Sequence, residues 1–375
     1  MAQQVSRLSK LNAIKRHSGV DAFLLTSSSS VKYFSGYFFY FEYGNSPFHL
    51  VPAILAAIPD GEIQLILADN EMGQSDMINA AISIASYASY RFEKPTDPVG
   101  EAIKAVVDFI EKNKLTKAKI GIEQASMPFA LVAACQHKFP SIQFVECSQK
   151  IAEQKIIKDQ DEIESIRDAA KLSDAGQLTV LKNARQGMSE LELFSLVHME
   201  MEKLTGFRVP LMADLSSGAG TNSGGGMPSN KLIQEGDLVL SDFQACLRGY
   251  WGDSCSTIVI GKPTADQTKT FQLVKEALEI GITAIRPGVR ANEIDRLMRA
   301  HIGNYPHHSG HGVGTGYHEE PRITPYNETA LKPGMIVALE PAIYRDEYGI
   351  RLEHLMLVTE SGSEIITQFK HQFEQ

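Results

Sequence analysis

The chain has 375 residues, 43% hydrophobic and 22% charged, with 36 Lys and Arg against 45 Asp and Glu for a formal net charge of −9. That length suffices for two domains, each with its own core. The acid excess argues against nucleic-acid and anionic-membrane partners, which call for a basic patch, and no apolar run reaches the roughly 18 residues a membrane helix needs.

The start, "MAQQVSRLSKLNAIKRHSGVDAF", lacks the apolar core of a secretory signal. Within it "VSRLSKLNAIKRH" has apolar residues at helical spacing, and "DAFLLTS" predicts a short strand. The aromatic run 37–43 in "SSSSVKYFSGYFFYFEYG" reads as core packing or as a subunit contact. "PAILAAIPDGEIQLILAD" predicts two strands joined around Pro59-Asp60-Gly61. "DPVGEAIKAVVDFIEKN" is an amphipathic helix and "AKIGIEQ" a buried strand. These make residues 1–154 an α/β domain, without a phosphate-cradling glycine motif. From residue 155 the character changes. "KDQDEIESIRDAAKLSDAGQLTVLKNA" and "SELELFSLVHMEMEKLTG" predict two long helices, followed by Gly-rich loops and strand pairs. "QTKTFQLVKEALEIGITAI" and "RANEIDRLMRAHIG" predict two more helices before the chain returns to strands. Residues 155–375 form the second predicted domain, and the whole is α+β. The cysteines, Cys135, Cys147, Cys246 and Cys255, include no CxxC pair. That excludes zinc-finger and disulfide scaffolds and suits a cytoplasmic protein with reduced thiols.

In "SDFQACLRGYWGDSCST" two acids interrupt sequence that otherwise reads as sheet core. An ionised carboxylate buried without a partner costs several kcal/mol or more. A hairpin turning at Leu247-Arg248 sets Asp242 directly opposite Asp253; a turn at Arg248-Gly249 makes them diagonal, still on one face. Two wet aspartates explain this pair as well as a metal does. A second pair tips the balance: in "GMIVALEPAIYRDEYGIRLEHLMLV" a turn at Asp346-Glu347 brings Glu340 opposite Glu353. Between the hairpins "HHSGHGVGTGYHEEP" carries four histidines and Gly310, Gly312, Gly314 and Gly316 on alternate positions. Such glycines permit close backbone approach and unusual dihedrals, a setting in which His311 reaches a metal. Four carboxylates and a neutral imidazole carry −4, which two divalent ions neutralise; a pair about 3.5–4 Å apart lowers the pKa of bound water and polarises a carbonyl. Oxygen-rich ligation favours Mn, with Co, Fe or Zn as further candidates.

These residues resemble the ligand set of the pita-bread metallopeptidase superfamily, the Xaa-Pro dipeptidase, aminopeptidase P and creatinase branch of peptidase family M24. The resemblance rests on Asp242 in "SDFQA", Asp253 in "GDSCST", His311 in "SGHGVG", Glu340 in "LEPAIY" and Glu353 in "RLEH". It implies a pita-bread fold over residues 155–375, preceded by a smaller creatinase-like domain, and a homodimer with the run 37–43 as its contact. It also implies that Asp253 and Glu353 bridge two divalent ions, with His311 and Glu340 on one and Asp242 on the other. Glu340 then serves in proton transfer, His318 contacts substrate or steadies the tetrahedral intermediate, and His307 and His308 lie at the substrate. The function implied is a metal-dependent hydrolase of the Xaa-Pro peptidase type, cleaving the amide of a small peptide with a metal-bound hydroxide. An alternative on the same fold hydrolyses a small non-peptide C–N bond, as creatinase and ectoine hydrolase do, and a non-catalytic binding module is a third reading. The chain departs from the family pattern at Ser229 (usually His), Gln244 (Gly), Cys255 (Thr), Ser256 (Arg) and His354 (an acid). Those changes bear on substrate choice while leaving the ligand set intact.

Overall fold

Pro59-Asp60-Gly61 closes a hairpin as its composition predicts, Asp60 adopting the left-handed conformation (φ 59°) that such a turn requires. The computed structural model describes residues 2–39, 46–71 and 78–375. The chain divides into two units, Met1–Lys155 and Ile156–Gln375. No described helix is long and apolar enough to cross a membrane, and the four cysteines are free and buried.

The first unit has strands β1 (Ala22–Leu25), β2 (Ile54–Ala57), β3 (Ile63–Ala68), β4 (Ser83–Tyr87), β5 (Lys119–Ile122) and β6 (Gln143–Glu146). They form one mixed sheet in the order β4-β3-β2-β1-β5-β6. Its helices are α1 (Ala2–Ser18), α2 (Ser28–Ser35), α3 (Pro98–Lys112), α4 (Phe129–Lys138) and α5 (Ser148–Lys155). Strand alternation divides the apolar residues between the two faces. Leu24, Ile54 and Ile66 pack with Val106 and Ile110 of α3, while Phe23, Leu55 and Leu65 pack with Leu11 of α1 and Phe34 of α2. Tyr37 is buried in that second core, and Phe38 beside it in the chain is also buried. Of the aromatic run expected at a subunit contact, these two side chains therefore serve packing, and residues 40–43 lie outside the described residues.

The second unit begins with α6 (Gln160–Asn183) and α7 (Glu190–Thr205), and continues through β7 (Leu211–Ser217), β8 (Leu238–Leu247) and β9 (Tyr250–Val259). Capping boxes start three helices here, that of α6 formed by Asp159 and Glu162. At α7, Ser189 Oγ accepts from Glu192 N and Glu192 Oε2 accepts from Ser189 N; Thr264 and Gln267 repeat the exchange at α8 (Ala265–Ala284). Helix α9 (Ala291–Ile302) precedes the remaining strands, β10 (Gly310–Gly312), β11 (Glu319–Ile323), β12 (Ile336–Leu339), β13 (Ala342–Tyr344), β14 (Gly349–Arg351), β15 (His354–Val358) and β16 (Ser363–Ile365). Strands β7-β8-β9 form one antiparallel sheet whose apolar face, with Val239, Phe243 and Ile258, packs against Leu193, Val197 and Met201 of α7. A second sheet runs β11-β10-β12-β15-β16, and β13-β14 pair separately.

The hairpin registers decide where the acids fall. Strands β8 and β9 turn at Arg248-Gly249, both with positive φ (51° and 86°), so Asp242 pairs with Cys255 and Gln244 with Asp253. The two aspartates are thus diagonal neighbours on one face, the second of the two registers that the spacing allowed. Strand β7 adds Asp214 directly opposite Asp242. In the later hairpin, Leu339 pairs with His354 and Ala342 with Arg351. Glu340 and Glu353 face each other at the break between those ladders, about the turn that the sequence predicts. Freed from strand pairing, Glu340 N donates to Ser309 O at 3.0 Å and Glu353 N to Cys255 O at 2.9 Å. The break thereby ties the His307–His311 segment and β9 to one point.

A candidate metal centre

Asp242, Asp253, His311, Glu340 and Glu353 are all buried, and all line one cavity of about 840 Å³. His311 Nδ1 lies 3.0 Å from the Gly312 carbonyl oxygen, so it carries the proton there and the Nε2 lone pair faces inward. That Nε2 lies 3.6 Å from Asp253 Oδ2, 3.7 Å from Glu340 Oε1 and 3.9 Å from Glu353 Oε1. Ligand atoms of Asp253, His311 and Glu353 fall within 4.8 Å of one another, as do those of His308, His311 and His318. The flanking glycines act by close approach: a Cβ on Gly310 would lie 2.0 Å from the Ala338 carbonyl oxygen, and one on Gly312 would lie 2.3 Å from that of Glu320. Unusual dihedrals, the other expectation for these glycines, are not used; none of the four has a positive φ.

Burial opposes every charge in this cluster. It raises the pKa of Asp253 well above the ordinary carboxylate range, with Asp242 adding to the effect. Glu353 rises for the same reason, with the charge of Asp253 adding to the effect. Burial also raises Asp242, against the opposing pull of Arg351. Glu340 goes the other way: burial pushes it up, but the His308 hydrogen bond and the charges around it outweigh that and lower it. His311 is lowered to about 4 by burial and is neutral at pH 7. Glu353 Oε2 is buried with no hydrogen-bond partner. Converging carboxylates, an inward imidazole lone pair and an unpartnered carboxylate oxygen together fit a divalent cation.

Other histidines lie where the sequence placed them, around the cluster. His308 Nε2 is 2.9 Å from Glu340 Oε1. His307 lies 2.9 Å through Nε2 from the Tyr344 hydroxyl. His318 is exposed to the cavity, its ring 4.2 Å from that of His311. Their backbone is clamped from below: Arg299 donates to Tyr305 O at 2.9 Å and His307 O at 2.7 Å, and Ser309 Oγ donates to buried Asp295 at 2.6 Å.

Three residues escaped the sequence reading. Arg351 is buried, 2.5 Å from Asp242 Oδ2 and 3.6 Å from Asp214 Oδ2. It also donates to the Tyr344 hydroxyl at 3.0 Å and to the Gly224 carbonyl. A charge count without Arg351 and Asp214 omits one cation and one acid; with both included the local sum returns to −4. The available signal was Arg351 standing two residues before Glu353, a spacing that shares a face in an extended run. Tyr344 carried no such signal. The family departures also find their places. Ser229 Oγ donates to buried Glu190 at 2.8 Å. Cys255 Sγ lies 3.3 Å from Arg351 Nε, so this buried thiol touches the guanidinium. Ser256 contacts His371, whose ring lies 4.4 Å from that of His354 at a tilt of 46°.

A buried carboxylate-imidazole cluster under a large cavity, built on two hairpins, defines a metallohydrolase. Residues 164–360 match the model of metallopeptidase family M24, and residues 7–157 that of the creatinase/prolidase N-terminal domain. The chain belongs to metallopeptidase family M24 and is a metal-dependent peptidase. It is 32% identical over 284 residues to an Xaa-Pro dipeptidase of Pyrococcus horikoshii, covering 74% of this chain and 80% of that one. It is 28% identical to an uncharacterized peptidase of Bacillus subtilis, over 96% and 97% of the two chains. An Xaa-Pro dipeptidase structure from Bacillus anthracis superposes with a TM-score of 0.84 at 26% identity, covering 99% of each chain.

Proposed function

We propose that the chain cleaves small peptides at Xaa-Pro bonds with two divalent ions, Mn the favoured metal, held by Asp242, Asp253, His311, Glu340 and Glu353. The observation that carries this reading is the convergence of Asp253, His311 and Glu353 within 4.8 Å beneath the cavity. Bound there, such ions supply Lewis acidity, polarising a carbonyl and lowering the pKa of water. The chain's own groups do the rest. Glu340, kept ionised by its partners, takes a proton at a carboxylate oxygen and returns it to the leaving amine. His308, 2.9 Å away, steadies that carboxylate. His318, exposed to the cavity, and His307, fixed by Tyr344, orient the substrate amide. Phe194, Leu211, Met227 and Pro228 line the cavity and offer an apolar wall to the substrate's proline ring and side chain. The Xaa-Pro dipeptidases of P. horikoshii and B. anthracis support the choice of substrate.

The test is metal analysis of protein purified without chelator, beside an Xaa-Pro dipeptide assay with Mn restored. The expected result is two ions per chain and release of proline, abolished by chelation and regained with metal. Ions bound without peptide cleavage would overturn the substrate assignment, and no metal uptake would overturn the site. Glu340→Gln, assayed with metal in excess so that the site is loaded, is expected to lose at least about a hundredfold in kcat, the scale of a general acid–base group. Unchanged kcat with metal retained would remove Glu340 from proton transfer.

A further inference from the structure

Gln244 stands in the sheet directly opposite Asp253 and two residues along β8 from Asp242, so all three side chains share one face. Its amide nitrogen donates both hydrogens, one to Oδ1 of Asp242 and the other to Oδ1 of Asp253, the latter at 3.0 Å. Arg351 holds the second oxygen of Asp242 at 2.5 Å. The second oxygen of Asp253 is left facing His311 Nε2 at 3.6 Å. One neutral side chain therefore determines which edge each aspartate presents to the cavity. Two like charges at this spacing repel, and a carboxylate without a donor is free to rotate about its terminal torsion, which is broad. The amide carries no charge to compete with a cation, and its two hydrogens match the two acceptors in number.

We propose that Gln244 is a positioning residue for the metal ligands, holding Asp242 and Asp253 in the orientation that receives a divalent ion. The inference rests on the reading that these aspartates bind metal. Residues that hydrogen-bond to metal-ligating groups commonly account for about 10–100-fold in affinity.

The experiment is calorimetric titration of the metal-free protein with Mn²⁺, comparing wild type with Gln244→Met, which keeps the length of the side chain and removes both donors. Binding weaker by about 10–100-fold is expected, and the melting temperature of the metal-free variant separates this effect from loss of fold. Gln244→Asn, one methylene shorter, is expected to weaken binding in the same direction and serves where Gln244→Met fails to fold. Affinity within about twofold of wild type in a folded variant, or tighter binding, overturns the proposal. A wild-type chain that takes up no Mn²⁺ overturns it together with the metal reading. Wild-type uptake with unaffected variants overturns it alone.

Discussion

Asp242 is pulled in two directions, upward in pKa by burial and downward by the guanidinium at 2.5 Å. Without metal, Arg351 is the nearest full positive charge in this pocket of acids, and its removal leaves Asp242 buried and uncompensated. Arg351→Met is therefore expected to cost the metal-free protein about 3–5 kcal/mol, the range for breaking one side of a buried pair. Denaturant unfolding checks it, and added divalent ion should recover part of the loss by binding the folded state. Equal stability of variant and wild type would show that Asp242 has no need of this partner. The acids were legible in sequence because each stands beside an apolar run and because two such pairs fall on matching faces of two hairpins. Arg351 was not. It lies in "YRDEYGIRLEH", where Arg345 looks equally charged and equally placed, yet Arg345 is at the hairpin end, 3.6 Å from Asp266 and half exposed. Nothing local to a residue tells which of two arginines folds inward.

The β8-β9 hairpin holds a cost in its turn. Arg248 adopts φ 51°, a conformation that disfavours any side chain with a Cβ and suits Asn or Gly in a two-residue loop. Arg248→Asn is expected to raise stability by up to about 1 kcal/mol, offset in part by the lost approach of its guanidinium to Phe207. Thermal unfolding measures the gain, and metal affinity should not change because the register is unaltered. A lower melting temperature would mean that the contact with Phe207 matters more than the turn. At this scale strong periodicity was readable, and the four long helices of the second unit fall where their apolar spacing puts them. Strand β7, "LMADLSS", was not. It is polar at Asp214 and both serines, and it becomes a strand because β8 supplies the ladder. With it went Asp214 and one wall of the cavity. The departures at Ser256 and His354 were visible singly, but their meeting through His371 depends on a tertiary contact that neither stretch signals.

Across the whole molecule, the centre is assembled from β8, β9, the β10 segment and the two halves of a late hairpin, so its chemistry follows the state of several distant carboxylates together. In the metal-free protein Asp253 and Glu353 have raised pKa values and therefore hold protons at a pH where ordinary carboxylates are ionised. An incoming cation must displace those protons. Affinity is thus expected to fall as pH is lowered, beginning well above pH 4, and to recover as pH rises. Metal content after equilibrium dialysis across that range checks the sign; flat content down to pH 4 would mean that the carboxyls are ionised before metal arrives. The fold class, and the five buried residues that meet at the cavity, could be read from spacing and resemblance. The apolar wall could not, since Phe194, Leu211 and Met227 come from a helix, an edge strand and a loop with no common motif.

The diagonal placement of Asp242 and Asp253 across a two-residue turn has a consequence for what the gene can tolerate. Side chains alternate along a strand, so adding or removing one residue between the turn and Asp253 sends that carboxylate to the opposite face unless a bulge absorbs the change. Two residues added together restore it to the correct side. Related genes, and libraries built on this one, should therefore vary in length here by even steps, with odd steps surviving only where a bulge repairs the count.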